Sequence, residues 1–256
     1  QQPKEFRQVM AEMSATGSDG LRMLIGMLVP AEKGNDATVQ YAIDGITSFV
    51  SEEQYSSFKP SVLKGLREGF SGCQDSADRA FLLTQIQKVA SSADASFFAS
   101  QLNDAYLRPY AVSALAAISG TEDCIRGLIK SAVAPDAALA SLACQKHMKD
   151  MESILLNWYP QSSGDIRKTI INALTTCGGA QSVQMLYRSS KAINFQYEPT
   201  GVTEGLLRLL ENCEDASIVL PIARKLTSCK QLSVRCAALR ILLEKDSQNA
   251  VSIVHA

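Results

Sequence analysis

The chain has 256 residues, 46% of them hydrophobic and only 6% aromatic, and its 25 basic and 26 acidic side chains leave a net charge of −1. That content is enough for a sizeable core, while balanced charge with no basic run argues against a phosphate-neutralising surface and so against nucleic acid as the partner. No apolar stretch reaches the ~18 residues of a membrane span, the longest, 21–29, being interrupted by Arg22 and Gly26.

Taken in order, Phe6, Val9, Met10 and Met13 share one helical face behind Pro3, a good first-turn residue. With residues 18–29 they predict an N-terminal capping hairpin over 3–29. PAEKGN (30–35) reads as a loop, 36–51 and 53–70 as a second hairpin, FSGCQD (70–75) as a turn, and 76–102 as a third hairpin. The fourth, 103–133, is two short amphipathic helices. Asp104 is its N-cap, Ala111, Ala114, Leu115 and Ile118 follow Leu107 on one face, and a left-handed Gly120 ends the first helix. The second helix buries Ile125, Leu128, Ile129 and Ala132. A fifth hairpin (136–159) ends at Trp158 and Tyr159, where Pro160 stops it. The sixth (164–190) runs into an insertion, Ser189 to Thr200, carrying Phe195 and Tyr197. The seventh covers 201–227, and an eighth begins at Gln231 with a short second helix from Gln248 to Ala256.

One frame repeats through these hairpins, with reference positions Val39, Asp78, Leu107, Ala138, Ile166, Val202 and Val234, spaced by 39, 29, 31, 28, 36 and 32 residues. Four positions on stand Ile43, Leu82, Ala111, Leu142, Ile170, Leu206 and Ala238, all apolar. Eight positions on, five of the seven are Ile or Leu. Arginine follows the reference as Arg79, Arg108, Arg167 and Arg235. Constant internal register with variable spacing is what stacked helical hairpins permit, because insertions fall in loops. Asp75 with Arg79 and Asp104 with Arg108 are four apart, so each is expected to pair for a few tenths of a kcal/mol.

L-R-x-x-A-x-x-A-L-x-x-I-S-G from Leu107, I-R-x-x-I-x-x-A-L-x-x-C-G-G from Ile166 and V-R-x-A-A-L-x-I-L from Val234 resemble the first helix of HEAT repeats. The resemblance covers most of the chain; the units at Ala138 and Val202 lack the arginine. It implies an all-α fold, a right-handed α-α superhelix (a HEAT/armadillo-like solenoid) of about eight hairpins, in one repeat domain over 1–256. The helix share expected is about 65–75%, well above an average domain.

Catalytic and metal-binding patterns are not found. There is no C-x-x-C, no H-x-x-x-H, no phosphate loop and no nucleophile elbow. Neither His147 nor His255 precedes Glu, unlike the His-Glu pairs of a HEAT-like iron hydroxylase; His147 reads as a solvent-facing histidine at a helix C-terminus. No metal or cofactor is expected, and the protein reads as a non-catalytic interaction or scaffold module. The alternative is a HEAT-like enzyme, a phycobilin-lyase-type subunit or a DNA glycosylase. Candidate contact residues are Trp158 and Tyr159, at the end of a second helix, and Phe195 and Tyr197, in the insertion; for Trp158 the competing reading is a place in the core.

The partner expected is a protein or an attached domain. HEAT-type repeats also precede sugar-active domains in exported bacterial proteins, and a start at Gln1-Gln2-Pro3 fits signal-peptide cleavage. Periplasmic or extracellular location is the expectation, and the seven cysteines keep the cytoplasm as the alternative. Cys177 and Cys213, each eleven residues past a reference, are expected to be buried thiols. The last unit, with Val251, Ile253 and Val254, leaves apolar surface at its end, which implies that a further domain or partner covers it.

Overall fold

In a computed structural model of the chain, which describes residues 2–30 and 33–246, 78% of the described residues are helical and no strand occurs among them. The all-α expectation holds. The helical share passes the expected range because short 3-10 turns carry the chain through several junctions, at Glu53–Phe58, Ser92–Asp94, Ser100–Asn103, Lys149–Met151 and Tyr159–Gln161. The expected helix 248–256, with Val251, Ile253, Val254 and His255, lies outside the described residues, as do residues 31–32 of the first loop.

The chain divides into two compact units, 1–124 and 125–256. The first contains α1 (Gln2–Ala15), α2 (Gly17–Ile25), α3 (Ala37–Ser51), α4 (Lys59–Gly72), α5 (Ser76–Val89), α6 (Ala95–Ala99) and α7 (Arg108–Ala117). In it α1 packs on α3, α3 on α5 and α5 on α7, while α2 packs on α4, α4 on α5 and α6 on α7. The division falls inside α8 (Glu122–Ser131). The second unit contains α9 (Ala137–Gln145), α10 (Glu152–Trp158), α11 (Gly164–Cys177), α12 (Ala180–Ala192), α13 (Val202–Asn212), α14 (Ala216–Leu226) and α15 (Leu232–Lys245). Here α9 packs on α11, α11 on α13 and α13 on α15, with α10 against α11, α12 against α13 and α14, and α14 against α15.

The register read from the sequence is also the burial pattern. Ile43, Leu82, Ala111, Leu142, Ile170, Leu206 and Ala238 are all 0% exposed. These residues sit on α3, α5, α7, α9, α11, α13 and α15, which are the helices that pack on one another in series within each unit. Polar rungs cross between the same helices. Buried Thr47 donates to Gln85 Oε1 at 2.6 Å, and Gln85 Nε2 donates to Asp44 Oδ1 at 3.1 Å, joining α3 to α5. Arg208 donates to Asn172 at 2.7 Å and Asn212 to the Thr175 carbonyl at 3.0 Å, joining α13 to α11.

Helix starts are set by aspartates whose oxygens take backbone N–H groups that have no partner inside the helix. Asp75 accepts from Ala77 and Asp78, Asp104 from Tyr106 and Leu107, and Asp136 from Ala138 and Leu139. Asp75 is therefore a cap, and Arg79 does not take it as its ion partner. Arg79 instead reaches Asp104, 3.7 Å away, and lies over the Phe70 ring at 4.6 Å. Arg167 likewise lies over the Tyr159 ring at 5.3 Å, and Arg235 donates to the Cys229 carbonyl at 3.0 Å. The α7 terminus is closed by Gly120, at φ +80°, and by the buried Thr121 hydroxyl, which donates to the Leu115 carbonyl at 2.6 Å.

Close approach of α2 to α4 depends on two glycines one turn apart. A Cβ at Gly65 would stand 2.8 Å from the Ser18 carbonyl oxygen, and one at Gly69 would stand 2.6 Å from Ile25 Cδ1. Alanine in a helix interior normally gains up to ~1 kcal/mol over glycine, but at Gly65 the new methyl meets rigid backbone. Gly65→Ala is thus expected to lower the urea midpoint. Leu82→Ala is expected to cost about 2–5 kcal/mol, the usual range for a fully buried leucine. Val133→Ala, on a fully exposed side chain, should stay within about 0.5 kcal/mol.

Candidate interaction surface

The four residues singled out from the sequence fall in three different environments. Trp158 is only 4% exposed, which corrects its expected role as an exposed anchor. It closes a buried stripe with Met151 and Leu155, at i, i+4 and i+7 of α10 and its lead-in turn, so helical spacing places its indole in the core. Tyr159 is half-buried beneath the Arg167 guanidinium and packs on the core shared by α11 to α15. Phe195 is likewise half-buried on that core, its ring 5.9 Å from Tyr187. Tyr197 is 92% exposed.

The insertion is a constrained turn, and it is shorter than the sequence implied because α12 runs on to Ala192. The Phe195 N–H reaches the Ser190 carbonyl at 2.8 Å and the Asn194 N–H the Lys191 carbonyl at 3.0 Å. This is a Schellman termination, in which asparagine is a common left-handed residue and the next residue folds an apolar side chain back on the helix. Asn194 has φ 54° and Phe195 φ 56°. Left-handed backbone costs a bulky residue roughly 1–2 kcal/mol, and the packing of the Phe195 ring on Tyr187 and the core offsets it. His147 ends α9 in the same way at φ 50°, with Met148 N–H bonded to the Ala143 carbonyl at 3.0 Å. Its side chain is exposed, in line with the sequence reading.

Beyond Tyr197 the turn is fixed by Glu198. Its Oε1 accepts from the Val202 N–H at 2.8 Å and the Thr200 hydroxyl at 2.6 Å, and Oε2 accepts from the Thr200 N–H at 2.9 Å. Gly201, at φ 74°, then starts α13. Tyr197 is thus a solvated ring on a turn secured at both ends. On α12 itself, Gln184, Met185 and Arg188 line a shallow depression of about 440 Å³.

A second groove, of about 350 Å³, lies where α11 and α13 end, lined by Glu152, Thr176, Cys177, Asn212 and Glu214 among others. Glu152, from α10, caps a different helix: its Oε1 accepts from the Gly179 N–H at 2.7 Å, the Ser182 N–H at 3.0 Å and the Ser182 hydroxyl at 2.6 Å, at the positive N-terminus of α12. Cys177 is buried and its thiol donates to the Ala143 carbonyl at 3.2 Å. Burial pushes that thiol up to about 11. Cys213 departs from expectation in being only half-buried, because α13 stops one residue before it. All seven cysteines are free thiols.

Sequence reasoning missed an aromatic pair in the first unit. Tyr106 and Tyr110 are 50% and 39% exposed, and their rings stack at 6.4 Å with an angle of 23°. The signal was available: with Leu107, Ala111 and Ala114 in the core, the i, i+4 pair 106/110 falls beside the buried stripe. Among the described residues no group of three or more His, Cys, Asp or Glu side chains is placed to hold a metal ion. No helix among them is long and apolar enough to cross a membrane.

No protein-family model, curated protein or solved structure matches this chain.

Two outcomes follow from this geometry. Burial would push the Glu198 carboxyl up, but the Thr200 hydroxyl and the amides of Val202, Thr200 and Gly201 hold it below the usual 4.5. A folded-state pKa below the unfolded one contributes stability above the unfolded value and loses it as pH falls through the folded value. Glu198→Gln is expected to remove that part of the acid sensitivity below pH ~4.5 in a series of Tm measurements against pH. In native protein a maleimide should label exposed Cys236 rapidly and Cys177 only after unfolding; mass spectrometry of the labelled peptides reads the order.

Proposed function

We propose that this chain is a non-catalytic HEAT-type repeat module, a right-handed superhelix of about eight helical hairpins that holds a protein partner or an attached domain. The observation that carries the reading is the set of seven register positions, each 0% exposed and each on a helix that packs in series with its equivalents. Neighbour-to-neighbour burial of that kind belongs to repeat architectures, in which each hairpin completes its core only against the next. Arg79 and Arg167, which each lie over an aromatic ring of the preceding hairpin, add to it.

Three carboxylates with lowered pKa values are used structurally. The hydrogen bond from Lys88 holds Asp44 below its usual range, that from Arg126 does so for Asp150, and that from the Ser217 hydroxyl does so for Asp215. Each is committed to an ion pair or a cap. The contact surface of this module includes Tyr197, a large amphipathic ring of the type enriched at binding hot spots, on a turn already ordered before binding.

Amide hydrogen exchange separates the repeat reading from a single cooperative core. Leu206→Ala should accelerate exchange mainly in α11 to α15 and leave α1 to α5 protected as before. Uniform acceleration along the chain contradicts it. For the contact, a photo-crosslinking aromatic at position 197 in the full-length protein should trap a defined partner that the same group at Val133 does not trap. Equal products at both positions would remove Tyr197 from the surface.

A further inference from the structure

The first unit holds a cleft of about 540 Å³ between α2, α4 and the first turn of α5. Its lining combines the apolar side chains of Ile25, Leu28 and Pro30 and bare backbone at Gly69 and Gly72 with polar groups, Arg22, Glu68, Gln74 and Asp75 among them. Asp78 lines it from α5 and is 5% exposed.

Asp75 and Asp78 line this cleft and Asp36 acts on Asp78 through its charge, and of the three Asp36 and Asp75 are already committed. Asp36 accepts the Val29 N–H at 3.2 Å on one oxygen and Gln40 Nε2 at 3.0 Å on the other. Asp75 caps α5 through the N–H groups of Ala77 and Asp78. The Asp78 carboxylate accepts no hydrogen bond from any described residue, and none of them pairs with it as an ion. Arg79, its neighbour in sequence, is turned to Phe70 and Asp104. Arg22, at the cleft's edge, pairs with Asp19 at 3.3 Å, and Glu68 adds a further negative charge there.

A carboxylate on a residue only 5% exposed that receives no donor from the fold takes its partner from whatever enters the cleft, water or cation, or else a proton. The carboxyl answers in part by titrating high: burial, and then the charges of Asp75 and Asp36, raise it above 3.8. Nothing in the packing of α5 demands the group, because its backbone N–H alone serves the cap. The physical partner it lacks is a cation that arrives from outside along an apolar wall.

We propose that this cleft binds the cationic end of an aliphatic chain, an alkylammonium or alkylguanidinium group, with Asp78 as the counter-ion and Ile25, Leu28 and Pro30 against the methylenes. The shape fits: long basic side chains bury an apolar stem while their charged head finds a polar group. A cleft that sets a few polar groups among apolar side chains is an ordinary small-ligand site. The site lies within residues 22–78 and does not depend on the repeat reading or on Tyr197.

The experiment is a titration of the full chain, followed by amide chemical shifts, with three probes: a capped lysine peptide, its norleucine counterpart, and spermidine. Saturable shifts at Ile25, Gly69 and Asp78 are expected with lysine peptide or spermidine, and affinity at least tenfold weaker with norleucine. A tighter lysine peptide assigns the cation to a polypeptide partner, and a tighter spermidine assigns it to a free amine. Asp78→Asn should weaken the better probe at least tenfold. Gly72→Phe, at a position where a Cβ meets nothing within 4 Å, should do the same by filling the cleft while leaving Asp78 intact. Absence of saturable binding by either cation, equal binding of norleucine, or unchanged affinity in both variants would overturn the proposal.

Discussion

The contact on which this structure depends is the one made four residues after each reference position, where one aliphatic side chain per first helix is closed off from water. Ile43, Leu82, Leu142, Ile170 and Leu206 fill that place with large groups, and Ala111 and Ala238 fill it with a methyl. The occupant's size differs from helix to helix, so each place is packed to its own neighbours, and emptying one of the large ones leaves a cavity. The arginines, aspartate caps and polar rungs are arranged around this seam and set the tilt and spacing of the helices.

How much of this was legible in the sequence differs between scaffold and surface. Helix positions, the buried register and the cap at Asp104 could be read because each depends on residues three or four apart on one helix. The partner of Arg79 could not be read, since local spacing favours Asp75 while the chain brings Asp104 close from the far side of a hairpin. Trp158 misled because an aromatic at a helix end looks free until the stripe Met151, Leu155, Trp158 is followed through a 3-10 turn. Tyr197 was legible as a turn aromatic, but its rigid setting rests on Glu198 and on the two left-handed residues before it. Asp78 was the hardest, because it stands at a reference position where other units carry apolar residues, and only the surrounding cleft gives it another meaning.

The acidic side chains thus divide by use. Asp75, Asp104, Asp136 and Asp215 end helices, and Asp44 and Asp150 bridge elements through Lys88 and Arg126. In each case the carboxylate meets donors supplied by the fold. That economy is why a carboxylate without a donor stands out when the other buried acid among the described residues, Asp94, has both Ser91 and Arg67.

Glu152 has a consequence for the way motion travels through the second unit. It belongs to α10, yet it closes the N-terminus of α12 by taking the amides of Gly179 and Ser182. The first turn of α12 therefore has no cap of its own from Gly178 or Gly179 and borrows one from the previous hairpin. Fraying of the start of α10 would therefore take the anchoring charge from α12 as well. A pull on one helix is felt at the start of another through a single carboxylate.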